Sequence, residues 1–159
     1  MAADRYPTKP VRVIVPFPPG GVTDVTARLI AQKMSEHLGQ PFIVENRAGA
    51  DSIIGTRAVK DAPADGYTIL ATSNAFSIVP ELKQDPGYVP QKDFRGVGPM
   101  MTAPFILDLA ADQPYRSLHD FIADAKANPG KIAFATPGAG SPNHLVTEMF
   151  FQKAGIKVV

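Results

Sequence analysis

Residues 11–34, VRVIVPFPPGGVTDVTARLIAQKM, pass from an apolar run into an amphipathic one through the loop PFPPGGVTD, residues 16–24. Val11–Val15 reads as a buried strand. Beyond the loop the spacing predicts a helix with Val25, Leu29, Ile30, Met34 and Leu38 on its inward face, ended by Gly39. A strand joined to a helix by a short loop is half of a β-α-β unit, and the fold class turns on whether that alternation continues.

It does continue. Phe42–Glu45 is a second short strand, followed by the loop Asn46-Arg47-Ala48-Gly49-Ala50 and a helix from Ser52 to Asp61 with Ile54, Ala58 and Val59 inward. Tyr67–Ala71 is a third strand, and Thr72-Ser73-Asn74-Ala75 leads into a short helix that Pro80 limits. Residues 83–93 form a polar connection. Phe94–Leu109 is apolar, broken by Gly98, Pro99 and Pro104, and is expected to run as extended strands crossing between two lobes. The pattern then restarts. Ser117 and Asp120 stand at capping-box spacing ahead of a stripe of Leu118, Phe121, Ile122 and Ala125, which Asn128-Pro129-Gly130 stops. Lys131–Ala135 is a strand, His144–Ala154 a helix with Leu145, Met149 and Phe150 inward, and Ile156–Val159 opens a further strand.

The composition permits this α/β architecture and narrows the function. Hydrophobic residues make up 45% of the 159 and charged residues 19%, enough apolar surface for a core. Lys+Arg 16 against Asp+Glu 15 leaves a net charge of +1, which gives no electrostatic basis for binding nucleic acid or an anionic membrane. The absence of cysteine excludes disulfides, thiolate metal sites and a cysteine nucleophile. No apolar run is long enough to span a bilayer. The opening Met1-Ala2-Ala3-Asp4-Arg5-Tyr6 holds no signal-peptide core and fits an initiator Met set before a processed end.

In a parallel sheet, ligands bind beyond the carboxyl ends of the strands. Four loops lie there: PFPPGGVTD, ENRAGADS, ATSNAFS and ATPGAGSPNH, all rich in small or hydroxyl residues and none with a lysine. In the first, Gly20 and Gly21 let the backbone turn and approach a ligand, and Thr23 or its neighbour is placed to cap the helix. The unpaired N–H groups of that helix end suit a carboxylate, and the prolines fix the loop in advance. Asp24 in the first turn favours the helix dipole and is placed to accept from an ordered water.

Nucleotide and hydrolase motifs fail. Walker A needs Gly-Lys-Ser/Thr, which does not occur, and Gly138-x-Gly140 lacks the third glycine of GxGxxG because Asn143 stands there. Ser141 and His144 are three residues apart at one helix start, so Ser141 reads as a cap and His144 as a first-turn residue or a ligand hydrogen-bond donor. His37, His119 and His144 are too scattered for a metal site. Arg47 reads equally as a carboxylate partner and as a surface residue.

The segments YPTKPVRVIVPFPPGGVTD, LGQPFIVENRAGA, APADGYTILATS, KDF and AKANPGKIAFATPGAGSPNHLVTEMFFQKAGI resemble, in the same order and over nearly the whole chain, the Bug or TctC-type substrate-binding proteins. These are the extracytoplasmic solute receptors of tripartite tricarboxylate transporters. The resemblance implies a type II periplasmic binding protein: two lobes, each a mostly parallel sheet flanked by helices. Residues 1–101 would supply the first lobe, and 102–159 the crossing near Met101–Leu107 and the start of an incomplete second lobe. It implies a periplasmic protein that captures a small organic carboxylate in the inter-lobe cleft and delivers it to membrane transporter subunits. It calls for no catalysis, cofactor, metal or nucleic acid. By position it points to Phe17, Gly20, Gly21, Thr23, Asp24, Ser73 and Asn74 in the first lobe, and to Thr136, Gly138, Gly140, Ser141 and His144 in the second.

Asp51-Ser52 depart from the family's small residues in the second loop. A carboxylate there repels an anion unless it faces solvent or selects a ligand with a cationic group. Family members are longer, which implies a fragment whose strand at 156–159 is open to self-association. The rival reading is an α/β enzyme using the same loops for a nucleotide or acyl substrate. A third is a receptor used in sensing.

Overall fold

β1 (Val11–Val15) is the centre of the sheet. It pairs in parallel with β2 (Phe42–Asn46) on one side and β3 (Thr68–Leu70) on the other, giving the order β2-β1-β3 with Val13 opposite both Val44 and Ile69. The structure, a computed structural model, describes residues 6–136 and 141–159. A central parallel strand is covered on both faces, which is why VRVIV is nearly continuous in apolar residues and does not alternate. Val11, Val13, Ile14 and Val15 are each at most 4% exposed, and each such side chain contributes about 1.5–3 kcal/mol by burial. The exception, Arg12, donates through Nε and Nη2 to the two oxygens of Glu45 at 2.7 and 2.8 Å, tying β1 to β2.

α1 (Val22–Leu38) packs on β1 and β2, and α2 (Ile53–Lys60) on β1 and β3. The face that α1 buries differs from the expected one. Asp24, Ala27 and Ala31 are buried, Met34 is half-buried, and Val25 and Leu29 are exposed. Small residues at i and i+4 let the helix axis approach Val11, Val13 and Val15 closely. The larger side chains one position round are left outside. In α2 the same thing happens: Gly55 and Thr56 go inward and Ile54 stays exposed.

α3 (Ala75–Leu82) runs through Pro80 and is not limited by it. The ring removes the N–H that would reach the Phe76 carbonyl, and that carbonyl accepts instead from the Tyr88 hydroxyl at 3.2 Å. α4 (Pro90–Asp93) is a single turn. Residues 94–110 carry no regular element, against the expected strands. Pro99 and Pro104 have no N–H for a ladder, and Val97 and Ile106 are largely exposed.

By contacts the chain divides into two units, Met1–Thr102 and Ala103–Val159. The second holds α5 (Leu118–Ala127) and α6 (Pro142–Ala154). The Ser117 hydroxyl accepts from the Asp120 N–H, while the Asp120 carboxylate accepts from Arg116 N–H, one residue before the usual capping-box donor. Phe121 and Ala125 are buried, as the stripe predicts, but Leu118 is exposed. In α6 the buried aromatic is Phe151, set edge-on to Phe134 at 4.9 Å, and Met149 is exposed. The expected strands 131–135 and 156–159 are not regular strands. Even so, Val159 N–H donates to Ile132 O and Phe134 N–H to Val159 O, the pattern of a parallel ladder.

Candidate functional site

Because the strands are parallel, their carboxyl ends share one edge of the sheet, where three loops of the first unit emerge. Residues 16–21 link β1 to α1, residues 47–52 link β2 to α2, and residues 71–74 link β3 to α3.

The first loop is built around Asp24. Its side chain is 3% exposed. Oδ2 accepts from Gly20 N–H at 2.8 Å and from Arg28 Nε at 3.1 Å, and Oδ1 accepts from Asn46 Nδ2 at 2.8 Å. Asn46 also donates to the Phe17 carbonyl at 3.1 Å and accepts from Arg28 Nη2 at 2.8 Å. Arg28, the Gly20 N–H and Asn46 together hold the Asp24 carboxyl down to about 2. Gly20 sits at φ 85°, the left-handed turn that lets its N–H face back toward Asp24. The sequence places Thr23 or a neighbour as cap, but the N-cap is Gly21 and no side chain caps it. The N–H groups that open α1 are therefore left without a side-chain acceptor. The Phe17 ring packs on the β1 core and only its carbonyl joins the network.

The second loop holds the least ordinary backbone among the described residues. Ala50, Asp51 and Ser52 have φ values of 47°, 54° and 78°, three consecutive L-residues in the left-handed region. Asp51 lies at the surface, paired with Lys83 Nζ at 3.1 Å, so its charge is met by a lysine and solvent. Ser52 and Thr56 are buried, and their hydroxyls, with that of Thr72 in the third loop, have no hydrogen-bond partner among the described residues. Replacing Ser52 with Gly removes both a strained conformation and an unpaired hydroxyl. The substitution is expected to raise stability by about 1 kcal/mol, read as a higher urea midpoint with an unchanged slope. In the third loop the Ser73 hydroxyl accepts from Ala75 N–H at 3.3 Å, and exposed Asn74 is the N-cap of α3 without a side-chain cap bond.

Of the residues singled out by sequence, Phe17, Gly20 and Gly21 thus lie in the β1–α1 loop, Thr23 and Asp24 in the first turn of α1, and Ser73 and Asn74 leave the neighbouring strand end. In the second unit Thr136 is half-buried, and the Ser141 hydroxyl caps α6 by accepting from His144 N–H at 3.2 Å. The His144 ring stacks on Phe134 and its Nε2 lies 3.8 Å from Glu148. Gly138 and Gly140 lie outside the described residues. Sequence reasoning missed Asn46 and Arg28. The i, i+4 spacing of Asp24 and Arg28 was a usable signal, as was an Asn at a strand end facing that turn.

A parallel sheet whose edge offers uncapped, lysine-free helix starts and hydroxyl-rich loops fits a solute-binding protein of the periplasmic class. Two solved structures bear this out. A periplasmic binding protein, BugD, superposes with a TM-score of 0.73 at 34% identity, over 97% of this chain and 52% of its own. An R. palustris protein solved with adipate gives 0.79 at 32% identity over the same shares. Residues 26–159 match the tripartite tricarboxylate transporter family receptor, TctC, and the chain belongs to that family. Protein BugT of Bordetella pertussis is 41% identical over 160 residues, covering 99% of this chain and 49% of BugT. The chain therefore spans about half the length of the relatives it matches.

Proposed function

We propose that this chain is the ligand-capturing part of a periplasmic receptor that binds a small organic carboxylate and delivers it to a tripartite tricarboxylate transporter. The observation that carries the reading is the start of α1, an uncapped diglycine at the carboxyl edge of the sheet. A carboxylate there would accept from the N–H groups of Gly21, Val22 and Thr23 and lie at the positive end of the helix dipole. Ser73 and Asn74 would add polar contacts from the next strand end. Thr136, Gly138, Gly140, Ser141 and His144 would close on the ligand from the second lobe, with the division near 101–102. Membership of the receptor family and the adipate in a structural neighbour favour a carboxylate.

The rival enzyme reading is weaker on the same residues. The Ser141 hydroxyl caps α6 by accepting from the His144 main-chain N–H, which is the role of a helix-end serine. Thermal unfolding against mono- and dicarboxylates, amino acids and nucleotides separates the two. A carboxylate at a hundredfold excess over its Kd stabilises by about 2.7 kcal/mol, and such a shift is the expected result. A shift with a nucleotide alone rejects the receptor reading, and no shift with any ligand means that this half of the relatives' length does not bind by itself.

A further inference from the structure

Asp24 is the only buried charged side chain among the described residues, and its place is unexpected, directly beneath a helix end offered to an anion. Its bonds explain the placement. With Asn46 and Arg28 it forms a closed ring of contacts that touches the first loop at two points, the Phe17 carbonyl and the Gly20 N–H. Those two points bracket Pro18 and Pro19, so the corner of the loop is held at both ends with a stiff segment between. Both N–H groups of the Asn46 amide are used, one on Phe17 O and one on Asp24 Oδ1, and its oxygen takes Arg28. The Asp24 oxygens and the Asn46 N–H groups are taken up within the ring and the loop it holds, and the Arg28 guanidinium offsets the Asp24 charge that would otherwise oppose an incoming anion.

We propose that Asp24 is a positioning residue: its carboxylate, with Asn46 and Arg28, latches the β1–α1 loop onto the end of β2 and so presents the N–H groups of Gly21, Val22 and Thr23 to the ligand without touching it. The binding half of this statement rests on the receptor reading above. The latch half does not. Because the ring includes Asn46, the last residue of β2, the first and second loops move as one body and the site is formed before ligand arrives. Such preorganisation improves affinity by removing the ordering cost on binding.

The test compares wild type, Asp24→Asn and Asn46→Ala. Asp24→Asn keeps the shape but turns an acceptor into an NH2 group that faces donors from Gly20 or Asn46. Asn46→Ala breaks the same ring from its half-buried side, in case the first variant folds poorly. Hydrogen exchange of the Gly20 amide reads the latch without ligand, against the Val13 amide in β1 as internal control. Calorimetric titration with adipate reads binding. The expected result in both variants is at least tenfold faster exchange at Gly20 with Val13 unchanged, and at least tenfold weaker adipate binding. Gly20 exchange that stays at the wild-type rate overturns the latch. Gly20 and Val13 accelerating together, with affinity falling only in step, reduces Asp24 to a general stability role and also overturns it. If wild type does not bind adipate, the carboxylate panel above decides the receptor reading, and Gly20 exchange alone decides the latch.

Discussion

Gly55→Ala is expected to destabilise the first unit by about 1–3 kcal/mol, the usual range for forcing an extra methyl into a filled site. A Cβ built on Gly55 would lie 2.7 Å from the Arg47 carbonyl oxygen and 2.7 and 2.8 Å from Pro16 Cβ and Cα. None of these is the loose end of a flexible side chain. Two are backbone atoms, the Arg47 oxygen and Pro16 Cα, and the third is the Cβ of that same fully buried proline. The helix must therefore move away from the strand ends, and the loops after β1 and β2 must move with it. For a unit of about a hundred residues each kcal/mol lowers Tm by roughly 4–8 °C. Gly98→Ala is the control, since nothing lies within 4 Å of its Cβ position and its φ is not in the left-handed region. That variant is expected to stay within about 0.5 kcal/mol of wild type. Urea unfolding of both variants checks the pair, and a Gly55→Ala midpoint equal to that of wild type would show that α2 is not seated on Pro16.

The same crowding explains what the sequence made legible and what it hid. The run VRVIV announced a central strand because burial on both faces leaves only one arrangement for four large apolar residues. The existence of α1, α2, α5 and α6 followed from period and caps; Gly39 ends α1 as expected, in the left-handed conformation that Gly155 also adopts at the end of α6. Helix faces were misread wherever close approach outweighed size. A periodicity argument prefers Leu29 over Ala31 and Ile54 over Gly55, whereas the sheet accepts the smaller residue because it brings the backbone nearer. Pro80 and the stretch 94–110 were misread for a different reason. A proline's effect depends on whether a distant group, here the Tyr88 hydroxyl, takes the carbonyl it strands, and a strand depends on a partner that no local pattern records. At the candidate site the loops and their glycines were legible. The role of Asp24 was not, because its partners Gly20, Arg28 and Asn46 come from three elements, of which only Arg28 stands at a spacing that the sequence displays.

Acid is expected to unfold this chain through its carboxylates, with Asp24 setting the largest share in the first unit. Its folded pKa, about 2, lies below the ordinary 3.8. The Arg12 fork lowers Glu45, the Tyr67 N–H lowers Asp65, and the Tyr115 hydroxyl with Asn128 lowers Asp124. A depressed carboxylate stabilises the fold fully above its unfolded pKa and ceases to do so as pH falls through the folded one. The window for Asp24 thus runs from about pH 4 down to about pH 2. At pH 3 the unfolded chain holds roughly 0.8 more proton at this site than the folded chain, from the two values just given. Stability should therefore be level above about pH 5 and fall steeply below pH 4. Asp24→Asn should lie below wild type at neutral pH, where the charged acceptor is missing, and the two curves should converge toward pH 2, where the wild-type carboxyl also takes up its proton. Urea midpoints measured from pH 6 to pH 2 check this. Curves that stay parallel to pH 2 would place the Asp24 interaction in packing and not in its charge, and the fall in wild-type stability would then belong to Glu45, Asp65 and Asp124.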